Sequence, residues 1–500
     1  MERGNNMESV KLNRENLSQI QKQVSVFGYN QQDLSSSIVH LGLGNFHRAH
    51  QAAYLDELLE MGLEKSGIFE INLIPDSFPL GKILGSQDYL YTLVTKNAAG
   101  QEKIRVIGSI LGYLNASENK EAVFNRIADS RTSVITLTVT EKGYYFDRKT
   151  GEIDSRDVMV RGDLEHPGDP KTAAGFLAES LFRRYKTGRK PLTIMSCDNI
   201  PSNGKVLENC VHFYCRELFP EIIAWMEDEV SFPCSMVDRI TPVTTPSLVN
   251  EIENHYHISD LWPVCGEDFR QWVLEDNFKT PVPRYGEAGV QIVKNVEPYE
   301  LMKMRLLNGS HSAMAYPCYL LGCQMVDEGI SNPLIKKFIR ERYMEEVTPT
   351  LAPVPGIDLT VYKDTLISRF SNRNIGDTIL RLCSEGSSKI PNFMLKPLAD
   401  AIRQDLPPDT VIFGLAAWAR FLEGKDEAGK PIPLEDVNGP LLSGAAQRAS
   451  SDPKAFLNAA GLEELSPIQS DTVTKEFKTA LDSIHRNGTR KALEMILNIG

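Results

Sequence analysis

The chain has 500 residues and a mass of 55.9 kDa, more than one hydrophobic core usually supports, so at least two packed units are expected. A make-up of 42% hydrophobic and 24% charged residues with 35 Gly and 28 Pro excludes a disordered, collagen-like or low-complexity chain. With 54 Lys and Arg against 66 Asp and Glu, the net charge is -12, a field that repels polyanions and argues against a nucleic-acid partner. No apolar run approaches the roughly 18–20 residues that span a bilayer, and Met1, Glu2, Arg3 and Gly4 do not open a signal peptide. The reading expects a cytoplasmic protein with no membrane partner. Eight Cys are scattered without a CxxC pair, so reduced structural thiols are expected. Cys210 and Cys215 would lie about 140° apart on a helix and do not converge on a metal ion.

The first long signal is 37–44 (SIVHLGLG), a β-branched and apolar run ending in glycines, which reads as a buried strand running into a turn. Apolar residues then recur at helical spacing over 47–61. Further strands are expected at 69–74, 103–107, 133–139 and 192–195, with helices at 120–127 and 173–185 between them. This alternation argues for an α/β Rossmann-like N-terminal domain, a largely parallel sheet covered on both faces, over 1–290. After about residue 290 the texture becomes mainly α-helical, with helices expected at 298–316, 333–346, 375–383, 397–403, 411–422 and 473–497. Loops rich in Pro, Gly and charge are expected at 163–171, 351–357, 405–409 and 424–433. The C-terminal domain is therefore placed at 291–500, docked without a linker and with a ligand cleft between the two.

Residues 42–50 (GLGNFHRAH) stand between strand and helix, where a dinucleotide's pyrophosphate would sit. Gly42 and Gly44 allow the tight turn, and Asn45 and Phe46 complete the candidate cofactor-binding segment. His47 replaces the third glycine of the usual fingerprint. Asp76, after the next strand, could accept the adenosine ribose hydroxyls or be a solvated loop acid. Positions 70–85 carry no Arg and only Lys82 as a base, which favours NAD, with NADP left open. Glu141 and Lys142, after the strand ending at Val139, would also lie on the cofactor side of the sheet. His47 and His50 are spaced i, i+3, but the sequence near them offers no Cys or acid to complete a zinc set, so no metal is expected.

In 298–311 (PYELMKMRLLNGSH) a base, an amide and an imidazole are interleaved with apolar residues. On a helical wheel with Lys303 at zero, Glu300 falls near about 60°, His311 near about 80° and Asn308 near about 140°, one broad polar face. Periodicity alone does not identify a site here, because a helical lysine is usually solvated and a lone His or Asn usually structural.

These segments, with 196–201 (SCDNIP), 232–242 (FPCSMVDRITP), 351–360 (LAPVPGIDLT) and 384–389 (SEGSSK), resemble in order the polyol-specific long-chain dehydrogenases, closest to their mannitol 2-dehydrogenase branch. The resemblance implies a zinc-independent, NAD-dependent alcohol dehydrogenase that interconverts D-mannitol and D-fructose at C2, a small polyol or ketose being its partner and a monomer or weak dimer its assembly. It implies Lys303 as general base, and Asn199 and Asn308 as holders of the substrate oxygen. His311, Arg381 and Lys389 would meet substrate hydroxyls, and Glu300 would pass the proton to solvent. Asp238 and Arg239 belong to the family signature without an assigned role. A fructuronate reductase acting on a sugar acid, or another polyol dehydrogenase such as a D-arabinitol enzyme, would use the same residues. The chain departs from the branch at Ser77, where mannitol enzymes carry a second acid after the one at Asp76. The residue types suit the reaction: a neutral amine can take a hydroxyl proton if burial or a neighbouring cation lowers its pKa from about 10.4. Two amide groups can stabilise a developing alkoxide without changing charge.

Overall fold

A computed structural model describes residues 9–75, 78–147, 150–462 and 467–499. They divide into two compact units, the first running to Asn97 and from Gln101 to Val296, the second comprising Ala98–Gly100 and the chain from Glu297 onward. The first is built on a six-stranded, all-parallel sheet of β1 (Ser35–Leu41), β2 (Ser66–Asn72), β3 (Ile110–Asn115), β4 (Val134–Leu137), β5 (Leu192–Ser196) and β6 (Val230–Ser231). Its order is β3-β2-β1-β4-β5-β6. The chain leaves β1 first to one side and later to the other, so the topological switch point lies between the carboxyl ends of β1 and β4.

The sequence builds this sheet through short runs that bury both faces. β4 and β5 are buried along their whole length, the pattern of strands covered on two sides. Val39 and Leu41 of β1 pack with Ile135 and Ile194 against Phe124, Phe176 and Leu207. Ile38, alternating to the opposite face, joins Val134 and Met195 against Leu55, Leu58 and Leu59. The helices concerned are α1 (Asn45–Ala49) and α2 (Gln51–Glu60), split at His50, then α3 (Ala116–Ala128), α4 (Ala173–Thr187) and α5 (Asn203–Leu218). The segment expected as a sheet strand at 103–107 is a strand, Glu102–Ile107, but it pairs antiparallel with Tyr91–Lys96 in a separate sheet. Its alternating charged and apolar residues suit a half-buried antiparallel strand, and β3 takes the place beside β2 instead. The expected loop at 163–171 is helical in its first residues, within Val158–Glu165.

The second unit is helical. α6 (Glu297–Met302) runs through a π-helical turn (Lys303–Asn308) into α7 (Gly309–Leu320). Among the helices further along the chain are α8 (Ile379–Cys383), α9 (Gly386–Ile390), α10 (Asp409–Leu422) and α11 (Pro467–Ile496), the last kinked at Gly488. α10 is apolar nearly all round, with Val411, Leu415 and Trp418 buried, as befits a helix inside a core. No helix among the described residues is long and apolar enough to cross a membrane.

Arg184 of α4 ties the amino ends of two central strands together. Its guanidinium, 2% exposed, donates to the carbonyls of Asp129 (2.7 Å), Thr132 (2.8 Å), Lys190 (2.8 Å) and Pro191 (2.8 Å), the turns that lead into β4 and β5. Arg184→Ala leaves these acceptors without their donor and should cost about 3 kcal/mol or more, read as a lower urea midpoint. Arg184→Lys, with a point charge in place of a fork, should recover only part of the loss.

Candidate active site

The glycine turn closes on the strand beside it. Gly42, at φ +114, has no room for a side chain, since a Cβ would stand 2.4 Å from the Thr138 carbonyl oxygen. Gly44 opens α1, and among the described residues, its chain neighbours and its own helix backbone apart, only the Gly42 oxygen comes within 4 Å of a Cβ built there, at 3.7 Å, so this side of the turn has room for a ligand. Asn45 is committed elsewhere: its Nδ2 donates to the Pro242 carbonyl (3.3 Å) and the Thr244 hydroxyl (3.1 Å), and its Oδ1 accepts from Arg48 (2.7 Å). That contact gives the end of the 232–242 segment a purpose, the bracing of the turn from behind. Phe46 is partly buried and stacks on His50, ring centroids 4.9 Å apart. Asp76 lies outside the described residues.

The sequence offered no acid near His47, but the fold brings one. Glu70 of β2 places its Oε1 2.7 Å from His47 Nε2, both side chains fully buried, and the His40 ring stacks on His47 with centroids 3.4 Å apart. Nitrogen and carboxylate atoms of His40, His47 and Glu70 lie within 4.8 Å of one another, a grouping that could hold a metal ion. Both ring nitrogens of His40 are occupied, Nδ1 with the Thr136 hydroxyl (2.7 Å) and Nε2 with that of Thr138 (2.8 Å). Burial, then the neighbouring His47, push the His40 pKa well below its ordinary value. Beyond their mutual contact, His47 Nε2 and both Glu70 oxygens find no hydrogen-bond partner among the described residues, and His50 points away from the cluster, toward the Gln271 carbonyl (3.0 Å).

Two further expected residues follow strands of the same sheet. Glu141 begins the turn Glu141–Tyr144 after β4, and Asn199 stands exposed beyond β5. Asn203 fixes the backbone there: its Nδ2 donates to the Asp198 carbonyl (3.0 Å) and the Ser235 carbonyl (2.9 Å), and its Oδ1 accepts from Ser235 N (2.9 Å).

In the second unit Glu300, Lys303, Asn308 and His311 follow one another on α6, the π turn and α7, while Arg381 and Lys389 stand on α8 and α9. Glu300 (6% exposed) and Lys303 (7% exposed) are buried. Because hydrogen bonds in a π turn run from i to i+5, five residues span little more than one turn there, so Asn308 falls nearer to Lys303 round the axis than the about 140° of α spacing. Asn308 Nδ2 is buried and finds no hydrogen-bond partner among the described residues, an unused donor. His311 packs on Phe370 at 4.4 Å between ring centroids. Arg381 of α8 is exposed and held by Asp377 in a two-point pair, both bonds 2.5 Å. Lys389 of α9 donates to the carbonyls of Arg381 (3.2 Å) and Leu382 (3.3 Å). Burial, then the Arg381 charge, lower its pKa to about 8.

Against known proteins, a family model described as the mannitol dehydrogenase Rossmann domain matches residues 36–286. A second, the mannitol dehydrogenase C-terminal domain, matches 295–485. A mannitol 2-dehydrogenase of Aspergillus fumigatus is 39% identical over 98% of this chain and 100% of its own length. One of Phaeosphaeria nodorum is 40% identical over 97% of this chain and 85% of its own. The solved ternary complex of Pseudomonas fluorescens mannitol 2-dehydrogenase with NAD and D-mannitol superposes with a TM-score of 0.90 at 37% identity, covering 98% of this chain and 100% of that one. A D-sorbitol dehydrogenase in substrate-free form gives 0.86 at 32% identity, covering 96% and 100%. With both domains matched in order over almost its full length, the chain belongs to the mannitol dehydrogenase family.

Proposed function

We propose that the chain is an NAD-dependent oxidoreductase that interconverts D-mannitol and D-fructose by hydride transfer at C2, with Lys303 as general base and no metal in the step. The observation that carries this reading is the buried Lys303 amine on the π turn with the unused Asn308 amide one turn above it. The likeness at 37% identity to an enzyme solved with NAD and D-mannitol supports the choice of cofactor and substrate. The open face above Gly44 suits the close approach of a dinucleotide phosphate. Bound NAD would supply the hydride acceptor, and the protein supplies position and field.

In this reading the Lys303 amine, in its neutral form, takes the proton of the C2 hydroxyl. Glu300, buried one turn earlier, hands it on toward solvent. Asn308, with Asn199 as the second amide donor, stabilises the alkoxide as it forms, and His311 orients a neighbouring hydroxyl. Lys303→Ala is expected to lower turnover by about 10²–10⁴-fold, the scale of lost general-base catalysis, with NADH affinity unchanged in a fluorescence titration. Undiminished activity would remove Lys303 from the step. Asn308→Ala should reduce kcat by about 10²–10³-fold, as loss of one preorganised oxyanion donor does.

The second reading is reduction of fructuronate, favoured by the two cations Arg381 and Lys389, which could pair with a carboxylate. Their surroundings weigh against it. The Arg381 charge is already met by Asp377, and Lys389, its pKa lowered to about 8 by burial and the Arg381 charge, is left as the one unmatched cation of the two, a weakened one. Neutral hydroxyls suit such a lining better than a sugar acid does. With NADH in excess, kcat/KM is expected to be higher for fructose than for fructuronate, and the reverse order would reassign the substrate.

A further inference from the structure

One buried acid joins the two strand ends that carry Glu141 and Asn199. Asp198, 7% exposed, accepts three hydrogen bonds at its carboxylate: Thr140 N at 2.8 Å, Val139 N at 3.1 Å and the Tyr144 hydroxyl at 2.7 Å. All three donors belong to the turn after β4. That turn is strained, since Thr140 lies at φ 68, ψ 160, a region that costs a non-glycine residue about 1–3 kcal/mol. The Asp198 main chain is fixed independently, its carbonyl by Asn203 (3.0 Å) and its amide by the Ser196 hydroxyl (3.3 Å). The groups facing the carboxylate are the two amides, the Tyr144 hydroxyl and the neighbouring Cys197 thiol, with no cation acting on it among the described residues.

We propose that Asp198 is a positioning residue for the reaction. Its ionised carboxylate holds the strained turn after β4 against the segment after β5, so that Glu141 and Asn199 keep the separation that dinucleotide and substrate oxygen require at the sheet's switch point. This inference rests on the dehydrogenase reading above. Burial raises the Asp198 pKa to about 6, with the Tyr144 and backbone hydrogen bonds opposing it. The sign follows. Above about 6 the carboxylate serves all three donors, and below it a protonated oxygen stops accepting and the turn is released.

The test is NADH affinity and mannitol turnover of the full chain between about pH 5 and pH 8, the range that brackets this titration. In the parent, affinity should fall as pH drops through the Asp198 pKa. Asp198→Asn should bind NADH about tenfold or more weakly at neutral pH, the scale of one lost charge-assisted hydrogen bond, and lose the acid limb altogether. Tyr144→Phe removes a donor that favours the ionised form, so its acid limb should move to higher pH. This second variant decides the matter if Asp198→Asn does not fold, since a limb left in place overturns the proposal. Asp198→Asn with the parent's affinity, turnover and acid limb also overturns it. A parent chain that binds no NADH overturns the dehydrogenase reading and this one together, whereas binding with an unmoved limb overturns this one alone.

Discussion

Gly42 and Thr138 lie so close that β1 and β4 can end side by side only because position 42 has no side chain. A Cβ there would meet the Thr138 carbonyl oxygen at 2.4 Å, and the residue's φ of +114 is itself one that other residues rarely adopt. The contact is then secured by polar atoms. Thr138 N donates to the Leu41 carbonyl at 2.9 Å, and the Thr138 hydroxyl donates to the Gly42 carbonyl at 3.0 Å. The arrangement of the glycine turn and the turn after β4 follows from this pairing of strand ends. It fixes where the open face of Gly44 stands relative to the turn bearing Glu141, and Asp198 extends the same linkage from β4 to β5.

Beneath the turn, polar groups take the place where a Rossmann fingerprint usually has its third glycine. His47 is fully buried instead of leaving room, its ring stacked on His40 and its Nε2 against the Glu70 carboxylate. A buried acid and two imidazoles are costly unless their hydrogen-bonding capacity is met. His40 meets its own through Thr136 and Thr138, one of the two hydroxyls being the group that closes on Gly42. The helix after the turn therefore packs on the sheet through a polar plug.

Several of these features could be read from the chain and others could not, for reasons that lie in particular residues. Runs such as ITL in β4 and LTI in β5 announce buried strands because β-branched and apolar residues occupy every position. β3 reads ILGYLN, and its glycine breaks the run. In the folded protein the space beside Gly112 is filled by the Phe69 ring, 2.5 Å from where a Cβ would stand, a fact that belongs to two distant positions at once. The same applies to Glu70, whose partner His47 lies on α1, and to Asp198, whose partners lie in the turn after β4. Asn45 shows the reverse case, a role that the motif does not announce. Its place in the motif points to the cofactor, yet its side chain holds Pro242 and Thr244.

The helical wheel of the second unit misses for a different reason: it assumes one hydrogen-bond register from end to end. The π turn Lys303–Asn308 adds a residue to one turn, and such a turn leaves a backbone carbonyl without its usual α partner. Here the Arg305 carbonyl accepts from the Tyr343 hydroxyl at 3.3 Å. Tyr343 reaches it over Gly309, where a Cβ would lie 2.1 Å from the hydroxyl oxygen. Any larger residue at 309 would displace the tyrosine that satisfies the widened turn. Arg305 anchors the same turn from the other side, donating to the Thr350 carbonyl (2.7 Å) and pairing with Asp400. The widened register that turns Asn308 toward the side of Lys303 is therefore braced by Gly309, Tyr343 and Arg305, whose contacts join positions far apart in the sequence.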